Sequence, residues 1–361
     1  MPISPDVLVE INNTTLENYI DKGKVFKQNV SNKPLLKDFN AKAGAFAGGK
    51  EFVSFAVKDG RGGGTLQGYS YDDQVNYYDP ATIKRARFPW REHHLGVTLT
   101  HTELKIDGID INEDGADQST TEMSGREQFA LANRLDEVMD TMGEDYAFSL
   151  NRLMYGDGTA DVKAIAGIRS IILDNPNLGI TGGINRATTP YWRNRAATAA
   201  FGAAGGQPAI TSSPANGGSL IAFLEKEDRQ LQRYRKGTTS RMLYAGSDFL
   251  GAYLNEMRSN GFYTQTGWGD GKKVDGAMGG PAWRGTPIEY DPTLDDLGLS
   301  KRLYVIDMSP GGIRMLYMNG NRMKKHNPAR PYDRYVMYNG ITMTGVMIAK
   351  QLNTSAVYDI A

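Results

Sequence analysis

From Ser124 to Tyr155, Leu131, Leu135, Val138, Met142, Tyr146, Leu150 and Leu153 recur at steps of three and four, which places them on one face of a single helix. Ser124 and Glu127 stand at capping-box spacing at its start, and Gly156 suits a left-handed cap at its end. Thirty-two residues rise about 48 Å at roughly 1.5 Å each, whereas about 30 Å already spans a small domain. Such a rod needs a body built along it. At 361 residues, against roughly 100 to 200 per domain, two or three compact units are expected.

Ahead of the rod, Thr14 and Glu17 cap a short helix with Leu16, Tyr19 and Ile20 on one side, and a second amphipathic piece follows Pro34. Polar residues and Gly23 link the two pieces, which are too small for a core, so residues 1–49 read as an arm lying on its own body or on a neighbour. Between Phe52 and Lys105 the pattern turns to strands: FVSFAV, the tip KDGRGGGT, a Tyr-rich segment to Tyr78, and LGVTLTHTELKI. In this last stretch Val97, Leu99 and His101 alternate with Thr98, Thr100 and Thr102. Residues 50–104 form a long hairpin, which cannot be stable alone.

Behind the rod come LMYGDGT (153–159), AGI (166–168), GGIN (182–185) and YWRN (191–194), then Gly- and Ala-rich loops to about 218. Leu220, Phe223, Leu224, Leu231 and Tyr234 mark a helix ending at Gly237. MLYA (242–245) is a buried strand, and Phe249 to Met257 a helix closed by Asn260-Gly261. WRGTPIEYD, LYVIDM, IRMLYM and YVMYNGITMTGVMIAKQL are strands. Strands and helices interleaved without a regular βαβ repeat give an α+β chain.

Forty-one Lys plus Arg balance forty-one Asp plus Glu, so no net field draws the whole chain to nucleic acid or lipid. The absence of cysteine removes disulfides and thiolate chemistry. No secretion signal and no apolar run of about 18 residues appear, so a soluble, unexported protein is expected, with no membrane partner. The glycines at 60–64 and WGDGKKVDG at 268–276 match neither phosphate-loop pattern. No G-x-S-x-G is present, and no serine has a nominated His and acid. An enzyme is not expected, and no catalytic residue or cofactor is assigned.

In DGIDINEDGAD (107–117), Asp110, Asn112, Asp114 and Gly115 open like a calcium loop, which makes calcium at 110–122 the one weak cofactor alternative. Its twelfth position is Thr121, with Glu122 one residue late, and the segment before it reads as strand. The competing reading is a solvated acidic loop ahead of the positive end of the rod's dipole. His94 and His101, seven apart, fall on opposite strand faces, so a histidine metal site is not expected.

Two basic clusters, KRARFPWR (84–91) and RMKKHNPARPYDR (322–334), can meet phosphates, and Phe88, Trp90 and Tyr332 could stack on bases. A partner-facing surface is the commoner use of such clusters.

Taken in order, the arm, hairpin, rod, GDGT turn, Gly-rich region and returning strands resemble the major capsid proteins of tailed bacteriophages, which use the Hong Kong 97 fold. The resemblance implies an N-terminal arm (1–49), an extended loop (50–104), a peripheral domain (105–219) including a spine helix (124–155), and an axial domain (220–310). Strands 311–361 return to the peripheral domain. It also implies a self-assembling icosahedral virion shell of pentamers and hexamers, built in the host cytoplasm and enclosing double-stranded DNA. A portal and, in some relatives, decoration proteins are the further partners. No long charged coiled coil precedes the arm, so a separate scaffolding protein is expected; with Met1 at the start, no N-terminal portion is expected to be removed. Candidate interface residues are Arg61, Lys84, Arg85, Arg87 and Arg91 on the loop, with Asp110, Glu113 and Asp114 as acidic mates on the next subunit. The alternatives are an encapsulin-like cellular nanocompartment shell and a soluble α+β enzyme.

Overall fold

The structure, a computed structural model, describes residues 32–48, 50–58, 66–77, 83–106, 125–200, 206–207, 209–210, 219–234, 241–259, 281–319, 322–326 and 336–361. In chain order the first elements are α1 (Pro34–Ala41), β1 (Gly44–Phe46), β2 (Phe52–Lys58), β3 (Ile83–Pro89), β4 (Arg91–Thr100), α2 (His101–Ile106) and α3 (Gly125–Met154). Short pieces follow: α4 (Ile168–Ile171), β5 (Ile180–Thr181), β6 (Ile184–Asn185), β7 (Arg195–Ala197) and β8 (Gly206–Gln207). The remainder is α5 (Leu220–Gln232), β9 (Arg241–Ala245), α6 (Ser247–Ser259), β10 (Ala282–Trp283), β11 (Thr286–Tyr290), α7 (Pro292–Asp296), β12 (Arg302–Asp307), β13 (Ile313–Met318), β14 (Lys324–His326), β15 (Val336–Ala349) and β16 (Ala356–Asp359).

Two compact units emerge. The larger comprises Asn32–Glu92, Leu150–Asn321 and Thr344–Ala361. Its centre is a seven-stranded mixed sheet in the order β10-β11-β9-β12-β16-β7-β8. RLYVID of β12 is buried at every position, as a central strand covered on both faces must be. Of its two charged residues, Arg302 is held by both oxygens of Asp359 at 2.7 Å and by Asp174 at 2.8 Å. α5 and α6 cover the sheet through Leu220, Leu224, Leu231, Phe249 and Tyr253, packed with Leu243, Ile288, Leu303 and Val305. Buried Glu256 accepts the N–H groups of Leu220 (2.7 Å) and Ile221 (3.2 Å) and the Ser219 hydroxyl (3.0 Å), so a carboxylate meets the positive start of α5.

Two expectations change in this unit and one alternative is decided. The C-terminal strand does not return to residues 105–219 alone: β16 lies between β12 and β7, uniting residues assigned to 105–219, 220–310 and 311–361. The arm is covered at home over its described part. Leu35, Leu36 and Phe39 of α1 are buried, β1 pairs in parallel with β13, and Asp38 accepts the Tyr244 hydroxyl at 2.5 Å. Gly156 is not the left-handed cap. α3 ends on short turns from Tyr155 N to Arg152 O (3.2 Å) and Gly156 N to Leu153 O (3.0 Å), and the positive φ (74°) falls on Gly158.

The words that follow the rod then become intelligible. Asp157 accepts the N–H (3.0 Å) and hydroxyl (2.7 Å) of Thr159, closing the GDGT turn. Gly167 of AGI lies so near the carbonyls of Leu153, Met154 and Gly156 that a side chain there would collide with them. The turn and AGI together fold the chain back onto the end of the rod.

The second unit comprises His93–Ser149 with Arg322–Met343. Here β15 pairs with β14 (Lys324↔Thr342, His326↔Gly340) and with β4. The rod contributes buried Met142, and the Tyr146 hydroxyl donates to Arg322 O at 2.9 Å and lies 3.0 Å from the Met343 sulfur. The strand expected through Lys105 stops at Thr100. Thr100 Oγ1 accepts the Glu103 N–H (3.3 Å) and Glu103 accepts the Thr100 N–H (3.0 Å), a capping box that starts α2. A helix, not a strand, therefore precedes the acidic run, and that argument against a calcium loop falls away; residues 107–124 themselves lie outside the described residues. The helix at 220 ends at Gln232, short of Gly237, which like Asn260-Gly261 is outside the described residues.

Candidate functional site

The extended loop is a true hairpin at its base, with β2 and β3 antiparallel from Phe52↔Pro89 to Lys58↔Ile83. Alternation buries Val53, Val57, Ala86 and Phe88 on one face and turns Arg85 and Arg87 outward. Phe55 stacks on Phe88 at 5.8 Å. The inner face sits on the β5–β6 turn. Arg87 N donates to Gly182 O at 2.9 Å, and a Cβ on Gly182, whose φ is 60°, would lie 3.0 Å from the Phe88 ring and 3.2 Å from Ala86 Cβ. Glycine is needed there for both reasons.

Behind Gly182 stands a buried polar cage made from GGIN, the arginine after it, and YWRN. Arg186 is fully buried, and its guanidinium donates to Thr181 Oγ1 (3.0 and 2.8 Å), Asn194 Oδ1 (2.6 Å) and Ile171 O. No carboxylate pairs with it among the described residues. Burial, with repulsion from Arg193, pulls its pKa down to about 9. Asn194 also accepts Leu173 N (3.1 Å) and donates to Leu173 O (3.0 Å) and Arg195 O (2.9 Å). The Trp192 indole donates to Thr181 O at 3.0 Å. The cage fixes the turn, and the turn fixes the hairpin's root.

Beyond the root the loop bares large side chains. Relative exposure is 104% at Leu66, 75% at Tyr69, 109% at Tyr71 and 93% at Tyr77. Ser70 and Asp73 close a tight turn between them, with Asp73 N to Ser70 O at 2.8 Å and Ser70 N to Asp73 Oδ2 at 2.9 Å. One large apolar group on a surface is ordinary; four in twelve residues mark a contact surface.

The basic cluster divides. Lys84 is engaged at home, its Nζ donating to Thr189 Oγ1 at 2.6 Å, and Arg87 lies 5.2 Å over the Phe52 ring. Neither is simply held out for a neighbour. Arg85 is exposed and Arg91 half-buried, and neither guanidinium has a hydrogen-bond or ion-pair partner among the described residues. Arg61, Asp110, Glu113 and Asp114 lie outside the described residues. Phe88 is buried against Phe55 and cannot stack on a base, and Trp90 packs 5.8 Å from Phe46 with its indole nitrogen buried. Of the second cluster, Arg322 and Lys324 are exposed, and 327–335, including Tyr332, is outside the described residues. No group of three His, Asp or Glu side chains suited to a metal occurs among the described residues.

Sequence reasoning placed the site on the loop but stressed charge, where the structure stresses tyrosine. A count of aromatic residues between Leu66 and Tyr78 would have found it. The cage had no such signal, because nothing local marks Arg186 as buried.

No model of a protein family matches the sequence, and no curated protein does. Solved structures match along nearly the whole chain. The chain is similar to the capsid of cyanophage A-1(L), with a TM-score of 0.59 and 14% identity over 94% of this chain and 96% of that one. It is similar to the capsid of a native GTA particle (TM-score 0.54, 12% identity, 94% of each chain). It is also similar to the capsid of Myoviridae phage XM1, with a TM-score of 0.51 and 10% identity over 94% of this chain and 95% of that one.

Proposed function

From the α+β, Hong Kong 97-like fold that this chain shares with tailed-phage major capsid proteins, we propose that it is itself a major capsid protein. Many copies self-assemble into the icosahedral head of a tailed phage around double-stranded DNA. Its role is structural, its place the virion, and pentamers and hexamers are its working state. A separate scaffolding protein, a portal and decoration proteins are the partners this reading assigns.

The observation that carries it is the bare loop. Leu66, Tyr69, Tyr71 and Tyr77 stand in water on a hairpin rigidly rooted at Gly182. Fully burying the three tyrosines at about 150–250 Å² each offers on the order of 450–750 Å², most of the roughly 800 Å² per partner of a stable interface. A monomer has no use for so much apolar reach, whereas a closed shell repeats the contact at every subunit. Arg85, Arg91 and Arg61 join this surface as proposed mates of Asp110, Glu113 and Asp114 on the next copy. Ion pairs at such a rim set register and encounter more than strength.

Electron microscopy of the purified full chain tests the reading. Uniform closed shells are expected, and a small monodisperse particle at high concentration would overturn it. Particles from the native source that hold double-stranded DNA agree with the phage head, and particles that hold protein cargo instead would move the reading to a nanocompartment. Replacing Arg85 and Arg91 by Glu should leave a folded chain that assembles poorly; normal shells would remove the proposed ion pairs.

A further inference from the structure

We propose that the seat of α1 on the central sheet is a proton-operated latch: a protonated Glu289 holds the helix down, and an ionised Glu289 loosens it. β11 and β9 pair in parallel with Glu289 beside Tyr244, and paired residues of neighbouring strands share a face. The Tyr244 hydroxyl donates to Asp38 of α1 at 2.5 Å, and Asn32, just ahead of that helix, donates to Tyr290 O at 3.1 Å. Where β11 ends, the fully buried Asp291 carboxylate accepts the Tyr155 hydroxyl (2.8 Å) and the Thr293 N–H (3.0 Å). Asp38, Glu289 and Asp291 thus lie close enough to feel one another's charge at one corner of the larger unit.

Asp38 and Asp291 each have a tyrosine donor, whereas the half-buried Glu289 carboxyl receives no hydrogen bond among the described residues. The groups facing it are Lys37 and Asp38 from α1, Tyr244 from β9 and Asp291 from the end of its own strand. β10, with Ala282 and Trp283, adds no charge, and Ile288 turns the opposite face of β11 into the core under α5 and α6. Partial burial and the two neighbouring carboxylates raise the Glu289 pKa above the ordinary carboxylate range, opposed only by exposed Lys37. Tyr155 and Tyr244, pushed upward by burial and by these carboxylates, stay neutral donors. A proton on Glu289 removes one of three like charges and supplies the donor its carboxyl lacks. The folded chain then binds that proton more tightly than the unfolded chain, so the added stability is full below the ordinary glutamate range and is lost as pH rises through the raised value. α1 is the element that yields, because β9 and β11 are each paired on both sides within the sheet.

Hydrogen exchange of the dilute full chain, read by mass spectrometry at pH 5 and 7.5 and corrected for the intrinsic pH dependence of exchange, tests the latch. Peptides covering Leu35–Ala41 should lose protection several-fold at the higher pH, while β12 changes little. Glu289→Gln, neutral at both pH values, should keep at pH 7.5 the protection that wild type shows at pH 5. Equal protection of α1 at the two pH values in wild type overturns the proposal, and so does a loss in Glu289→Gln as large as in wild type. Asp38→Asn gives a second check that leaves Glu289 in place and keeps an oxygen for the Tyr244 hydroxyl. With one facing charge removed, the pH at which α1 loosens should fall, and an unmoved midpoint overturns the latch. Every group concerned lies within the one larger unit, so a chain that builds no shells would overturn the shell reading and leave this result standing.

Discussion

Replacing Asn194 by Ala should destabilise the larger unit far more than a surface change would. The side chain is buried and makes four hydrogen bonds: to Leu173 N, Leu173 O, Arg195 O and the Arg186 guanidinium. Alanine leaves all four groups without it in a space water does not reach. An unsatisfied buried polar group costs about 1–3 kcal/mol, and more when charged. Arg186 keeps Thr181 Oγ1 and Ile171 O, which limits its share. Since such costs add incompletely within one network, a loss of about 3–5 kcal/mol is expected, in the range for uncovering one partner of a buried charge. Urea unfolding of the dilute, unassembled full chain reads this as a lower midpoint at unchanged slope. Thr188→Ala, which removes one exposed bond to Asn185 O, should stay within about 0.5 kcal/mol. A loss below about 1 kcal/mol for Asn194→Ala would refute the cage as the anchor of the hairpin's root.

Three further outcomes follow from the same geometry. The folded pKa of Arg186, about 9, lies below its unfolded value, so between these values the unfolded chain binds more protons and folding gains from rising pH. The stability difference between wild type and Arg186→Gln should therefore shift toward wild type above pH 9, by up to about 1.4 kcal/mol per pH unit; urea midpoints at pH 8 and 10.5 check the sign. Gly182→Val, which puts a branched side chain against Phe88 at a φ of 60°, should loosen the hairpin. Faster amide exchange across Ile83–Pro89, with little change at β12, is the expected signature. Thr100→Ala should cost about 1 kcal/mol of cap energy, seen as faster exchange confined to the helix from His101 to Ile106.

What could be read from the sequence was whatever depended on neighbours along the chain. The α3 rod was legible because seven apolar residues repeat within one helix, and β12, β13 and β15 because their runs are apolar and carry β-branched or aromatic residues. The extended loop was legible from the strands on either side of Gly60–Gly64. Long-range pairing was not: nothing in AVYD says that it lies between RLYVID and RAA. The α1 helix left open whether the arm lies on its own body or on a neighbour because its partners, Tyr244 and Tyr317, are more than 200 residues away. Arg186 carried no signal because burial is a property of the fold. The α2 capping box was in plain view at Thr100 and Glu103, and the alternating threonines masked it. At the site, the basic run drew attention as a rare pattern, whereas the bare tyrosines acquire meaning only once nothing at home is seen to cover them.

The account stands on the loop's tyrosines being covered by another copy, and oxidative footprinting with mass spectrometry measures that cover directly. Comparing assembled shells with protomers dissociated from them, Tyr69, Tyr71 and Tyr77 should lose most of their labelling on assembly, while Tyr234 keeps its own. Equal labelling of the three loop tyrosines in both states would contradict it.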